Sequence, residues 1–249
     1  MRRRCVLVTG GAKRLGAAIA RRIAADGHRV VIHYGRSADT AHALAAEIGG
    51  AAVGADLADA DAVGTLVERA GDAAGAAVDG LVNSASEFEF DRPPAVDPAL
   101  LARLASVNLF APVRLACAVA EGTDGGDAAV VNLLDQKVAN LNPDFFSYSC
   151  AKVALEGATR MLAQALAGRA RVNAVSPGLT LASGDQSGAE FARAASKNLL
   201  ARPVGADAVA DAVAFLLGAR GVTGQNLFVD CGQRFLPRGG DVMFEDRDG

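Results

Sequence analysis

The chain has 249 residues, 51% of them hydrophobic, and 25 basic against 28 acidic side chains give a net charge of -3. That length suits one large α/β domain able to bury roughly three quarters of its unfolded-chain surface. The balanced charge provides no basic stripe for nucleic-acid phosphates. The four cysteines are scattered without a CxxC pair and the three histidines lack ligand spacing, which argues against a metal site and for reduced thiols in a cytoplasmic protein.

Cys5–Val8 is a short apolar strand, too brief for the roughly 7–15-residue core of a signal peptide. No apolar run is expected to approach the roughly 18 residues of a membrane span, so no membrane partner is expected. After Thr9-Gly10-Gly11 comes a helix over about Leu15–Ala25, then a strand at Arg29–Tyr34 and a helix at Ala38–Ile48. Strands at Ala51–Ala55, Gly80–Asn83, Ala128–Leu134, Arg171–Val175 and Asn226–Val229 alternate with helices at Asp61–Ala74, Pro98–Glu121, Ser147–Leu166 and Ala206–Leu217. Such alternation predicts βαβ crossovers and a doubly wound, Rossmann-type parallel sheet of about seven strands in one domain, residues 1–236. Ser183–Leu200 reads as a lid with helical pieces. The polar tail Pro237–Gly249 is expected to be mobile or to dock on a neighbouring subunit.

The first strand runs through Gly10-Gly11-Ala12-Lys13-Arg14-Leu15-Gly16 into a helix. Glycines let the backbone approach a pyrophosphate, and a helix N-terminus offers free N–H groups and a positive dipole end. The second strand then separates the two nicotinamide cofactors. An NAD site places a carboxylate near its end for the ribose 2′-hydroxyl. Here the strand ends His33-Tyr34-Gly35-Arg36-Ser37. Arg14 and Arg36 can hold a 2′-phosphate and Ser37 can add a hydroxyl donor, which points to NADP(H).

Tyr148 and Lys152 stand at i and i+4 on one helical face. A nearby ammonium is expected to lower the tyrosine pKa from roughly 10 and make it a usable acid. With the glycine turn, the Asn83-Ser84-Ala85-Ser86 turn, Asn108, and Ser176-Pro177-Gly178, these motifs resemble the short-chain dehydrogenase/reductase family over almost the whole chain. The resemblance implies that Lys152 also holds the nicotinamide ribose, that Asn108 supports a proton relay through water, and that Asp56-Leu57 lies at the adenine. It also implies a homotetramer.

Two departures stand out. The family's second glycine is Arg14, and its catalytic serine is Asp135. An ionised carboxylate repels a carbonyl oxygen but suits a substrate rich in N–H donors. Both departures, together with His33–Ser37, resemble the pteridine reductases and the short-chain dihydromonapterin or dihydrofolate reductases. In that branch an aromatic after the fourth strand stacks the pterin. Phe88 stands at that place, and Ser86 would contact pterin or phosphate. The expected activity is NADPH-dependent reduction of a dihydropterin-like ring, with Asp135, Tyr148, Lys152 and Asn108 catalytic. A 3-oxoacyl thioester or other ketone reductase, and a silent NADP(H)-binding regulator, are the alternatives.

Overall fold

Seven parallel strands form one sheet, ordered β3-β2-β1-β4-β5-β6-β7, in the computed structural model, which describes residues 2–123, 125–182 and 188–244. The strands are β1 Cys5–Thr9, β2 Arg29–Tyr34, β3 Ala51–Gly54, β4 Gly80–Asn83, β5 Ala128–Leu133, β6 Ala170–Pro177 and β7 Asn226–Val229. The strand order reverses between β1 and β4, and an α/β sheet opens a ligand crevice at such a point, beyond the carboxyl ends of its strands.

Helices α1 Arg14–Ala25, α2 Ala38–Ile48 and α8 Ala206–Gly218 cover one face. On the other lie α3 Ala60–Ala74, α5 Ala111–Glu121 and α6 Phe146–Ala165, with α4 Pro98–Ala105 running against α6. Side chains alternate across the pleat. Val6 and Val8 therefore enter the α1–α2–α8 core while Cys5 and Leu7 enter the other. Leu7, Ile19, Ile32, Leu66, Leu81 and Leu115 are fully buried, each stabilising the fold by roughly 1.5–3 kcal/mol. Asp59 caps α3 by accepting from the amides of Asp61 and Ala62, and Asp97 caps α4 ahead of Pro98.

The expected single helix Pro98–Glu121 is interrupted by a π-helical turn at Ser106–Phe110. Contrary to the expectation from its composition, this 24-residue stretch is long and apolar enough to span a membrane. Its inner face, including Leu104, Val107, Leu115 and Val119, is buried within the protein. Of the expected lid, α7 Gly188–Ala195 is helical, and residues 183–187 lie outside the described residues. Over residues 237–244 the tail is held down rather than loose. It returns across its own chain, where Asn140 Nδ2 donates to the Leu236 carbonyl at 3.0 Å and the Asp241 amide donates to Asp144 Oδ2 at 2.7 Å. Residues 245–249 lie outside the described residues.

Candidate active site

A cleft of about 910 Å³ opens over the carboxyl ends of the strands. Its floor is the turn after β1. Gly10 has φ +62°, and a Cβ there would sit 2.8 Å from the Ala85 Cα, so only glycine lets this turn lie against the turn after β4. Thr9 Oγ1 ties the two turns by accepting from the amides of Ser84 at 3.0 Å and Ala85 at 3.1 Å. The Gly10 amide donates to His33 Nδ1 at 3.2 Å, so the ring proton sits on Nε2, which donates to the Ala55 carbonyl at 3.1 Å. Burial pushes the His33 imidazole below its usual pKa, which keeps this neutral tautomer in place. His33 thus acts as a clamp beneath the glycine turn.

Lys13, Arg14, Leu15, Gly16, Arg36, Asp56 and Leu57 line this end of the cleft, with Arg36 exposed. Arg14 has φ +54°, the left-handed region that costs a non-glycine residue about 1–2 kcal/mol. Its guanidinium donates to the Ala182 carbonyl at 2.6 Å. Tyr34 and Ser37 are not among the described residues that line the cleft. The Tyr34 ring packs over Gly54 and edge-on to His42 at 5.7 Å, and Ser37 precedes α2 without a side-chain cap bond. Asn83 is buried beneath the cleft floor, donating to Asn132 Oδ1 at 2.8 Å and the Pro112 carbonyl at 3.2 Å. Ser84, Ala85 and Ser86 follow it into the cleft, and Pro177 and Gly178 close the opposite side.

At the other end, Asp135 follows β5. Its Oδ1 accepts from the Lys137 amide at 2.8 Å and its Oδ2 from the Tyr148 hydroxyl at 2.9 Å. Lys152, one turn along α6 from Tyr148, donates to the Leu133 carbonyl at 2.8 Å, with its Nζ 5.6 Å from the Tyr148 ring centroid. Burial lowers the Lys152 ammonium to about 8, opposed by the Asp135 carboxylate. Burial also raises Asp135, although hydrogen bonds from Lys137 and Tyr148 draw it back.

Tyr148 corrects the expectation from sequence. Its pKa is raised well above the usual value, first by burial and then by Asp135, rather than lowered. The reason is geometric: the ionisable group bonded to the phenol is a carboxylate, while the ammonium of Lys152 is turned to a backbone carbonyl. Tyr148 is therefore a neutral phenol that donates to Asp135.

Asn108 sits in the π-helical turn with no solvent exposure. Its Oδ1 accepts from Ser86 Oγ at 2.8 Å and the Glu87 amide at 3.1 Å, and its Nδ2 donates to the Glu87 carbonyl at 2.9 Å. All three bonds anchor the turn that carries Phe88. The Phe88 ring stacks on Phe145 at 4.0 Å and meets Tyr148 edge-on at 4.8 Å, yet it stays 43% exposed and borders the cleft.

A family model described as Enoyl-(Acyl carrier protein) reductase matches residues 10–234. The chain belongs to the short-chain dehydrogenase/reductase family. FolM alternative dihydrofolate reductase 1 from Brucella canis, solved in complex with NADP, is 43% identical with a TM-score of 0.89, over 94% of this chain and 95% of that one. Pteridine reductase 1 of Leishmania tarentolae is 32% identical over 91% of this chain and 94% of its own length. Dihydromonapterin reductase of Klebsiella pneumoniae is 27% identical, over 92% and 96%.

In this short-chain reductase several cleft residues carry no motif of their own. Phe145 and the stretch Asp241–Met243 carry no signal in the sequence, whereas Lys137 shows there as part of Gln136-Lys137, a pair next to Asp135 that departs from the resembled branch. Phe145 has φ +54° and holds Phe88 by stacking, and Asp241, Val242 and Met243 line the cleft from the chain's far end.

Proposed function

We propose that this short-chain oxidoreductase uses NADP(H) to reduce a pteridine ring, a dihydropterin or dihydrofolate, by hydride transfer. The observation that carries this reading is the 2.9 Å bond from Tyr148 to Asp135 beside the open ring of Phe88.

The residues present suit the cofactor. The glycine cradle at Gly10 and Gly16 leaves the backbone bare for a pyrophosphate, and β2 ends without a carboxylate, with Arg36 and Arg14 at the cleft. Lys152 would hold the ribose and Asp56-Leu57 would lie at the adenine, while Asn83 lies buried beneath the cleft floor and Tyr34 and Ser37 stand outside the cleft lining. When bound, NADPH supplies the hydride.

The chain's own residues do the rest. Phe88 offers an apolar face on which a flat ring stacks. Asp135 accepts amino or ring N–H groups, which a carbonyl substrate does not offer. Tyr148 gives a proton to a ring nitrogen, and Asp135, whose carboxyl burial favours the protonated form, replaces it. Asn108 holds Ser86 and Phe88 in place. Fixing the ring at near-attack distance is the largest contribution, since orientation supplies ~7–11 kcal/mol. The names of the relatives support the same substrate class.

A homotetramer is part of this proposal, supported by the exposed apolar side chains of Phe110, Val153 and Met161 around α5 and α6. A cytoplasmic location is supported by four free cysteines. The test is NADPH oxidation with dihydrobiopterin, dihydromonapterin and dihydrofolate beside an acetoacetyl thioester. Turnover of the pterins is expected. Turnover of the thioester alone makes the enzyme a ketone reductase, and NADPH binding without oxidation of any compound makes it a regulator.

A further inference from the structure

The cleft has a wall that the short-chain motifs do not specify. Lys137 is 3% exposed, yet its ammonium donates to Asn142 Oδ1 at 3.1 Å, the Asp144 carbonyl at 3.0 Å and Asp241 Oδ2 at 3.0 Å. A buried ammonium is costly unless fully bonded, and this one has an acceptor for each of its three protons. One of those acceptors comes from the C-terminal segment. Asp241 also receives the Met243 amide on Oδ1 at 3.1 Å, which sets the direction of the residues that follow. Val242 is buried, and Met243 and Phe244 pack against the cluster of Leu104, Phe145 and Tyr148. Phe244 lies parallel to Phe145 at 6.0 Å and edge-on to Phe90 at 5.4 Å.

We propose that residues 236–244 form the outer wall of the substrate pocket, latched by the Lys137–Asp241 ion pair, and that Lys137 and Asp241 are positioning residues that seat the substrate and keep water from Tyr148. The geometry links three things through one lysine. Its backbone amide holds Asp135, its ammonium holds Asp241, and the segment after Asp241 packs on the tyrosine that Asp135 bonds. Removing one member of a buried pair leaves the other uncompensated, so either loss opens the latch. The identity of the substrate rests on the pteridine reading, whereas the latch does not.

The chain contains two tyrosines, Tyr34 and Tyr148. In a Tyr34→Phe background, ultraviolet difference absorbance therefore follows Tyr148 alone, without substrate or cofactor. The charged groups around it and its latch are Asp135, Lys152, Lys137, Asp241, and Asp144 with its partner Arg92. Asp241→Asn removes a negative charge and admits water, and both effects lower the Tyr148 pKa, by an expected shift of about one pH unit or more. A chain ending at Gly240 should shift the same way. In both variants KM for a dihydropterin should rise about tenfold or more while the NADPH Kd stays within about twofold, the split expected of a substrate wall.

An unmoved Tyr148 titration in both variants overturns the latch, and so does an equal loss of NADPH binding, which would mark a general structural clamp. A shifted titration in an enzyme that turns over no pterin fells the substrate reading and leaves the latch standing.

Discussion

The Tyr148 hydroxyl donates to Asp135 at 2.9 Å, so the proposed proton donor is paired with a carboxylate and not with a cation. With Asp135 ionised, taking the proton from Tyr148 leaves two adjacent negative charges. With Asp135 protonated, the proton is replaced at once. Burial raises the Asp135 carboxyl above its usual range. The value of kcat/KM for a dihydropterin should therefore fall as pH rises through that raised value. Asp135→Asn should lose this limb and about 10²–10⁴ in kcat. A pH profile that keeps the limb in the asparagine variant would refute the coupling.

Lys152 gives a stability prediction. Its folded pKa of about 8 lies below the usual 10.5, so between those values the unfolded chain binds more protons than the folded one. Stability must then rise with pH across that window. The move from 10.5 to about 8 corresponds to about 3 kcal/mol. Melting curves of wild type and Lys152→Met from neutral pH to pH about 10 should show the wild type gaining relative to the variant. Parallel curves would mean that the ammonium is solvated.

Arg14 occupies a left-handed backbone position, φ +54°. Arg14→Gly should relieve about 1 kcal/mol of strain and raise Tm by roughly 2–4 °C. The same change should weaken NADPH more than NADH. Arg36→Ala should do so without the gain in Tm, by about 10–100-fold for a charge-assisted contact worth roughly 1.5–3 kcal/mol. Equal losses for the two cofactors, measured by titration, would place neither arginine at a 2′-phosphate.

His33 holds the glycine turn after β1, the proposed phosphate site, through the Gly10 amide. His33→Leu leaves that amide without its acceptor, and the NADPH Kd should rise about tenfold. Burial lowers the His33 pKa, so below the usual 6.5 the unfolded chain takes up the proton first and stability falls with falling pH. The leucine variant should lose that part of the acid sensitivity, as followed by Tm between pH about 5 and 7. An unchanged Kd would show that the turn is held by Thr9 and the glycines alone.

Much of this protein is legible in its sequence, because local chemistry writes local structure. The alternation of apolar strands and helices predicts a parallel sheet of seven strands, and all seven form near the expected bounds. Gly10 and Gly16 announce a turn that no side chain could occupy, and Tyr148 and Lys152 share a helical face wherever that helix lies. Asp135 at the end of β5 and Phe88 after β4 are visible as residue types in the right order along the chain.

Direction and pairing across the fold belong to the tertiary structure. Sequence spacing suggests that Lys152 tunes Tyr148, but the Leu133 carbonyl takes the ammonium and Asp135 takes the phenol. Pro112, which has no N–H to bond the Asn108 carbonyl, marks a break in the helix over residues 98–121, but only the fold shows that the π-helical turn before it seats Asn108 beneath Ser86 and Glu87. Lys137 and Asp241 are 104 positions apart, and no local pattern relates two residues at that distance. Their pairing follows from burial: a lysine enclosed beside the cleft needs a third acceptor, and the folded chain supplies it from a polar tail that by composition reads as mobile or as docking on a neighbouring subunit.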